Sequence, residues 1–308
     1  MKIYWKIFAK KIYSPYRLKK EYWDTENKII DDLQLIKNTI RRSLRSTVYD
    51  FHFEFHLAEH CNLNCIGCTH FSPLAEPEFL EVEDFRNDIE RLSYLTGGNA
   101  RFINLLGGEP LLHPEINSFF KIAREYFPEA KISIVTNGIL LPQMDNCFWT
   151  SCRENKIVIA VTEYPIGFDY LSIRNKIRNE NIEFESFSGR QERYEMWSLF
   201  LDERGLNRPV DNFMKCQRSN ACVFCSHGKL FPCPTMASIR HFNRIFDTKM
   251  EISESDYIDI YKVSSIQEIL DFLKNPVPFC RFCNVEKRKY GLLWQQSKCE
   301  KNEWCPID

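Results

Sequence analysis

The sequence predicts an α/β fold built on a parallel sheet, and three observations predict it. Short apolar runs of strand length alternate with amphipathic helical runs between Phe51 and Phe187. The chemically distinctive residues fall where those apolar runs end. No internal repeat or low-complexity stretch interrupts the pattern. Repeated strand–helix units imply parallel strands joined by right-handed crossovers, and such folds carry their sites at the carboxyl ends of the strands. With 308 residues the chain can bury the core of one large domain, or of a domain with a cap. Periodicity alone leaves open a partial barrel and a doubly wound sheet.

The elements follow in order. Residues 1–50 form a basic helical extension; the first twenty contain seven Lys or Arg, no Asp or Glu, and the aromatics Tyr4, Trp5, Phe8, Tyr13 and Tyr16. Such a segment can lie on an anionic membrane surface or pack on the protein itself. Ile29, Leu33, Ile36, Ile40 and Leu44 then mark a helix. Phe51 to Leu57 alternates apolar and polar residues, as a strand does. Val82, Phe85, Ile89, Leu92 and Leu95 mark a helix stopped at Gly97-Gly98. A strand from Phe102 to Leu106 leads to a helix opened by Pro114 and closed before Pro128. Strands over Lys131–Val135 and Ile157–Val161, a helix over Leu171–Asn179 and a strand over Ile182–Phe187 complete the series. Residues 189–213 are polar and irregular.

Between the first strand and the first helix lies Glu59-His60-Cys61-Asn62-Leu63-Asn64-Cys65-Ile66-Gly67-Cys68-Thr69-His70. Its three cysteines have the spacing C-x3-C-x2-C. Cysteine thiolates hold iron–sulfur clusters, and three on one loop leave one iron of a cubane open. Zinc sites usually fill all four positions from C-x2-C pairs. The second strand ends in Gly107-Gly108-Glu109-Pro110. Together, CNLNCIGC after one strand and GGEP after the next resemble the radical S-adenosylmethionine (SAM) enzymes. The resemblance covers about residues 51–285. It implies a partial (β/α)6 TIM-like barrel and a 4Fe–4S cluster on Cys61, Cys65 and Cys68. The open iron of that cluster binds SAM and, once reduced, cleaves it to methionine and a 5′-deoxyadenosyl radical. It also implies that Glu109 accepts a hydrogen bond from the SAM amino group, and that Gly107 and Gly108 let the backbone approach methionine. Asn137 and Thr162, at the ends of the third and fourth strands, are weaker SAM contacts. The family usually has an aromatic residue where this chain has Gly67, so adenine packing falls to His70 or Phe71.

Cysteines return after residue 213. Cys216 is followed by eleven residues, Gly228, four more residues and Cys233; Cys280 and Cys283 form a C-x2-C pair. This pattern is similar to the shortened auxiliary-cluster domain, twitch, of some radical SAM enzymes. It implies one auxiliary 4Fe–4S cluster on Cys216, Cys233, Cys280 and Cys283. A four-cysteine zinc knuckle using Cys222/Cys225 and Cys280/Cys283 is the alternative. Cys222 and Cys225 are otherwise alternative ligands or buried small hydrophobes, and Cys147, Cys152, Cys299 and Cys305 buried small hydrophobes. The expected division is therefore an extension over 1–50, a radical SAM core over 51–190 and a small auxiliary-cluster domain over 191–308. The stretch from Arg240-His241-Phe242-Asn243 to Cys283 also looks like radical SAM proteins associated with surface-polysaccharide biosynthesis.

A net charge of −1 gives no basic field for nucleic acid. No run is long enough to span a membrane, and the opening apolar runs are broken by lysines. Thirteen cysteines without a secretory signal point to metal rather than disulfides, hence to the cytoplasm. The resemblance implies an oxidoreductase or isomerase served by an electron donor such as flavodoxin or ferredoxin. The substrate expected is a small polar molecule, sugar- or aminocyclitol-like, undergoing oxidation, epimerisation or dehydration. A peptide-modifying enzyme and a non-enzymatic zinc-binding interaction protein are the alternatives.

Overall fold

Among the described residues, ten strands and eight α-helices follow one another: β1 (His52–Ala58), α1 (Val82–Thr96), β2 (Phe102–Gly107), α2 (Ile116–Tyr126), β3 (Lys131–Thr136), α3 (Asn146–Glu154), β4 (Ile157–Val161), α4 (Tyr170–Asn179), β5 (Phe184–Ser186), β6 (Glu195–Leu201), α5 (Pro209–Lys215), β7 (Val223–Ser226), β8 (Lys229–Phe231), α6 (Pro234–Ala237), α7 (Ile239–Phe246), β9 (Ile258–Asp259), α8 (Ile266–Leu273) and β10 (Cys283–Leu293). They come from a computed structural model that describes residues 36, 51–186, 195–216, 218–219 and 222–305. The basic segment 1–20, and the helix expected after it apart from residue 36, lie outside the described residues. No described helix is long and apolar enough to cross a membrane.

One sheet has the order β5-β4-β3-β2-β1-β7-β8-β9. The pairs from β5 to β7 along that order are parallel, and the last two pairs are antiparallel. The fold is thus mixed α/β with a mostly parallel sheet. From β1 to β5 the chain steps in one direction. A doubly wound sheet instead reverses at its first strand and places helices on both faces.

Side-chain alternation shows which face carries the helices. Phe53, Phe55 and Leu57 of β1, Ile103 and Leu105 of β2, and Ile132 and Ile134 of β3 share one core with Phe85 and Ile89 of α1, Phe119 and Phe120 of α2, and Ile173 of α4. Burying each phenyl ring there contributes roughly 2 kcal/mol. The alternate residues His56, Glu54, Asn104 and Ser133 are buried on the other face. That face is polar, and it is where a ligand can be recognised.

Helix α3 was not legible in the sequence, because Asn, Cys, Phe, Trp, Thr and Ser are indifferent helix formers. It forms because the Asp145 side chain caps Phe148 N at 2.9 Å and because Phe148, Trp149 and Cys152 are buried beneath it.

The division expected at residue 190 does not coincide with the edge of the sheet. Strand β7 pairs with β1, with Phe53, Glu54 and Phe55 opposite Val223, Phe224 and Cys225. Val223 and Cys225 pack into the first core, whereas Phe224 joins a second core with Phe71, Phe231, Phe242, Phe282 and Trp304. Asp88 of α1 fastens this seam, accepting from Gly228 N at 2.9 Å and Tyr261 Oη at 2.8 Å. Cys225 is a buried thiol 3.8 Å from Asp88 Oδ2, in the sheet core. Strands β6 and β10 pair with each other, apart from the large sheet.

Candidate functional site

The loop after β1 turns tightly because two of its residues are left-handed: Asn64 at φ 54° and Gly67 at φ 59°. Asn tolerates this conformation and Gly adopts it freely. The result is that Cys61, Cys65, Gly67, Cys68, Thr69 and His70 line one cavity of about 350 Å³. The turn also accounts for Gly67 where the family usually has an aromatic side chain, which would be strained at that φ.

Gly107, Gly108, Thr136, Asn137, Thr162 and Tyr164 close the cavity from the carboxyl ends of β2, β3 and β4. The Gly-Gly pair has a clear steric reason. Gly107 has φ 151°, and a Cβ there would stand 2.2 Å from Ala58 O; a Cβ on Gly108 would stand 2.1 Å from His60 O. Gly108 N donates to Ala58 O at 2.7 Å and Glu109 N to His60 O at 3.0 Å. The close approach that needs glycine is therefore to the backbone entering the cysteine loop.

Glu109 is turned inward. It is fully buried, accepts from Thr136 Oγ1 at 2.6 Å, Asn137 N at 2.9 Å and Leu111 N at 3.1 Å, and is not among the residues lining the cavity. Burial pushes its pKa up to about 7 against those hydrogen bonds. Phe71, expected near adenine, is buried in the second core beside Phe242 and Trp304. Its own φ of 54° turns the chain there out of the loop. Asn137 ties β3 to the loop, Nδ2 donating to Asn62 Oδ1 at 2.7 Å. His70 Nδ1 lies 2.5 Å from His56 Nε2, and His56 Nδ1 lies 3.3 Å from Glu59 Oε1. Burial holds the His70 pKa well below the usual imidazole range, with His56 and Arg218 acting the same way.

The donor set fits a thiolate-held cluster. Burial pushes the Cys61 thiol up to about 12, helped by Glu109 and Cys68, so a bound metal cation is what would hold that sulfur as a thiolate. Donors are already aimed at the sulfurs: Leu63 N at 3.4 Å from Cys61 Sγ and Trp294 Nε1 at 3.2 Å from Cys65 Sγ. Trp294 follows β10, and its segment pairs with the loop. Ile66 N donates to Gln295 O at 2.9 Å, Ser297 N to Asn64 O at 2.8 Å, and Trp304 Nε1 to Cys68 O at 2.8 Å. No spacing or motif marked Trp294 or Trp304.

The later cysteines gather elsewhere. Cys216, Cys233, Cys280 and Cys283 line a second, small cavity of about 20 Å³ with Asn212, Arg218 and Ser219. Burial raises the thiols of Cys233, to about 12, and of Cys280 and Cys283, and their neighbours in the set raise them further. Four cysteines around one small cavity fit a four-thiolate metal group. Asn212, on α5, clips the pair by donating to Cys280 O at 2.8 Å and Cys283 O at 2.6 Å. Cys222 lines the first cavity instead, as Glu54 does, and its sulfur, a His52 nitrogen and a Glu54 oxygen lie within 4.8 Å of one another. Cys152 is buried as expected. Cys147 and Cys299 are exposed, which corrects the expectation that they are buried hydrophobes.

Residues 56–147 match the family model described as Radical SAM superfamily. A GTP 3′,8-cyclase of Trichodesmium erythraeum is 37% identical over 94 residues, 29% of this chain and 27% of that one. The GTP 3′,8-cyclase of Chlorobaculum tepidum is 35% identical over 81 residues, 26% of this chain and 24% of that one. The chain thus spans under a third of the length of these relatives. Among solved structures, BtrN in complex with AdoMet and 2-DOIA has 16% identity and a TM-score of 0.44, covering 77% of this chain and 94% of that one. Residues 56–147, which contain all three loop cysteines and the Gly-Gly-Glu-Pro turn, form a Radical SAM superfamily domain.

Proposed function

We propose that this chain is a radical SAM enzyme that abstracts hydrogen from a small polar, sugar- or aminocyclitol-like substrate and oxidises it. The observation that carries the reading is the single cavity onto which Cys61, Cys65 and Cys68 converge with the ends of β2, β3 and β4. In this reading the sheet is the wall of a partial six-strand barrel, and the region around the second core is an auxiliary-cluster domain. A 4Fe–4S cluster on the three loop cysteines, with SAM bound, supplies a 5′-deoxyadenosyl radical.

The chain's own residues bind and orient. Gly107, Gly108, Asn137, Thr162, Gly67 and His70 surround SAM. Glu109 anchors the cavity wall from behind, its carboxylate held by three internal donors. A volume of about 350 Å³ is in the range of small-molecule sites. Its Glu54, Thr69, Arg218 and Cys222 lining favours a polar substrate. Cys216, Cys233, Cys280 and Cys283 hold one auxiliary 4Fe–4S cluster as electron acceptor, and a cytoplasmic flavodoxin- or ferredoxin-like protein supplies the reducing electron.

The test is anaerobic reconstitution followed by iron, sulfide and zinc analysis and a SAM-cleavage assay. About eight irons, the content of two cubanes, with reductant-dependent release of 5′-deoxyadenosine, is expected. Stoichiometric zinc without iron would sink the reading.

A further inference from the structure

Arg218 is common to both cysteine-lined cavities. Its backbone N–H donates to Cys216 Sγ at 3.4 Å, beside a second donor, Ser219 N, at 3.4 Å. Its guanidinium reaches the other way, Nη1 donating to Thr69 Oγ1 at 2.5 Å, and Thr69 follows Cys68 directly. One residue therefore touches a sulfur of the later set through its backbone and the neighbour of a loop cysteine through its side chain.

The surroundings explain how a cation is kept between the two sites. Arg218 is partly buried, and burial lowers its pKa; Glu54, Cys222, Cys216 and Cys233, in that order, act against the shift. Arginine keeps its charge under such conditions, and its planar fork presents five donors in fixed directions. Glu54 is itself only 5% exposed, so no bulk water screens the pair well. Cluster potentials respond to local charge and to hydrogen bonds on the sulfurs.

We propose that Arg218 is a positioning residue that couples the two cysteine sites, holding Cys216 and the Cys61–Cys68 loop in register while its charge favours the reduced state of the auxiliary cluster. The proposal rests on the two-cluster reading above. When the auxiliary 4Fe–4S cluster accepts one electron, its thiolate-ligated form gains one negative charge, and nothing else is bound or released. The guanidinium points to the loop yet is near enough to interact electrostatically with Cys216 and Cys233, and a fixed positive charge at that range raises the affinity for the electron. A cluster held there would thereby be suited to accept the electron that a substrate in the neighbouring cavity loses on oxidation.

The experiment is an anaerobic redox titration of the full-length reconstituted protein, followed by electron paramagnetic resonance and using dithionite as titrant. The native protein is measured first. About four irons instead of about eight would remove the auxiliary cluster and this proposal with it, whatever became of SAM cleavage. With about eight irons, Arg218→Gln is expected to lower the equilibrium constant for reducing the auxiliary cluster at least tenfold, about 59 mV for one electron. Arg218→Lys keeps the charge and loses the fork. It should hold the auxiliary potential near native while altering the spectrum of the loop cluster through the lost Thr69 contact. Unshifted auxiliary potential in Arg218→Gln would overturn the electrostatic role. If that variant fails to hold its iron, Arg218→Lys decides, and a loop-cluster spectrum identical to native would overturn the coupling.

Discussion

The two cysteine sites are built in opposite ways. The first uses three thiols from eight consecutive residues, Cys61 to Cys68, on one loop turned by Asn64 and Gly67, beside a cavity of about 350 Å³. The second draws Cys216 from just past α5, Cys233 from beyond β8, Cys280 from the turn before β10 and Cys283 from the first residue of β10. It closes them around about 20 Å³. An open cavity beside a short loop has room for a cofactor and a substrate; a tight one lined by four thiols has room for a metal group and little else. In the function proposed above, the first carries the bond-breaking chemistry and the second stores an electron.

The strongest way to break this contrast is to remove the cysteines of each site in turn. Replacing Cys65 by Ala should take release of 5′-deoxyadenosine to background. Losing a group that hydrogen-bonds to a metal ligand costs about 10- to 100-fold, and losing a ligand itself should cost more. The Cys280→Ala/Cys283→Ala double variant should keep that release, uncoupled from product, with iron reduced from about eight to about four. Loss of SAM cleavage in a folded double variant with an intact loop cluster would abolish the division of labour.

A smaller effect is expected where the two halves of the first site cross. Gly108→Ala places a methyl group 2.1 Å from His60 O and 2.7 Å from Glu59 O, both backbone atoms that cannot swing aside. Destabilisation of about 3 kcal/mol, at the upper end for overpacking, should appear in thermal unfolding, together with iron lost from the loop site. A variant as stable as the native protein would show that the loop entry is not held by this crossing.

Trp294 sharpens the comparison, because the segment after β10 reaches back from the second site to the first. Trp294→Phe keeps the ring that faces Tyr164 at 5.9 Å and removes the N–H donor to Cys65 Sγ. A loss of up to about tenfold in the rate of SAM cleavage is expected, the lower range for outer-shell partners, together with a lowered loop-cluster potential. An unchanged potential would reduce the tryptophan to packing.

The smallest effect is a pH dependence confined to the first site. Burial raises the Glu109 pKa from 4.5 to about 7, so the folded state holds that proton more tightly than the unfolded chain. The contribution to stability is fully present below about pH 4.5 and is lost as pH rises through about 7. Melting temperatures of native protein and Glu109→Gln, measured across that window without metal, should show the native protein falling relative to the variant. Parallel curves would mean that Glu109 is not buried as a free carboxyl group.

Much of the fold was legible in the sequence because it is local. Strand and helix periods show directly in runs such as Phe53, Phe55, Leu57 and Phe85, Ile89, Leu92. The loop cysteines and the Gly-Gly-Glu-Pro turn were legible for the same reason, since their geometry is decided within a few residues. The far ends of contacts were not. Which of Cys216, Cys222 and Cys225 joins Cys233 depends on β7 pairing with β1, a contact some 170 residues apart in sequence that fixes side-chain direction by strand alternation. That pairing turns Cys225 into the sheet core and leaves Cys222 in the first cavity, while α5 delivers Cys216 to the second. Glu109 reads from its motif as a ligand to something outside the protein, yet three donors on β3 and its own turn claim it first. Arg218, Trp294 and Asn212 carry no local signature, because what each does is defined by a partner on another element. Residue chemistry and short-range spacing were enough to place a radical SAM domain. Which residues support each site was decided only by tertiary packing, since hydrogen bonds and charges act through space and not along the chain.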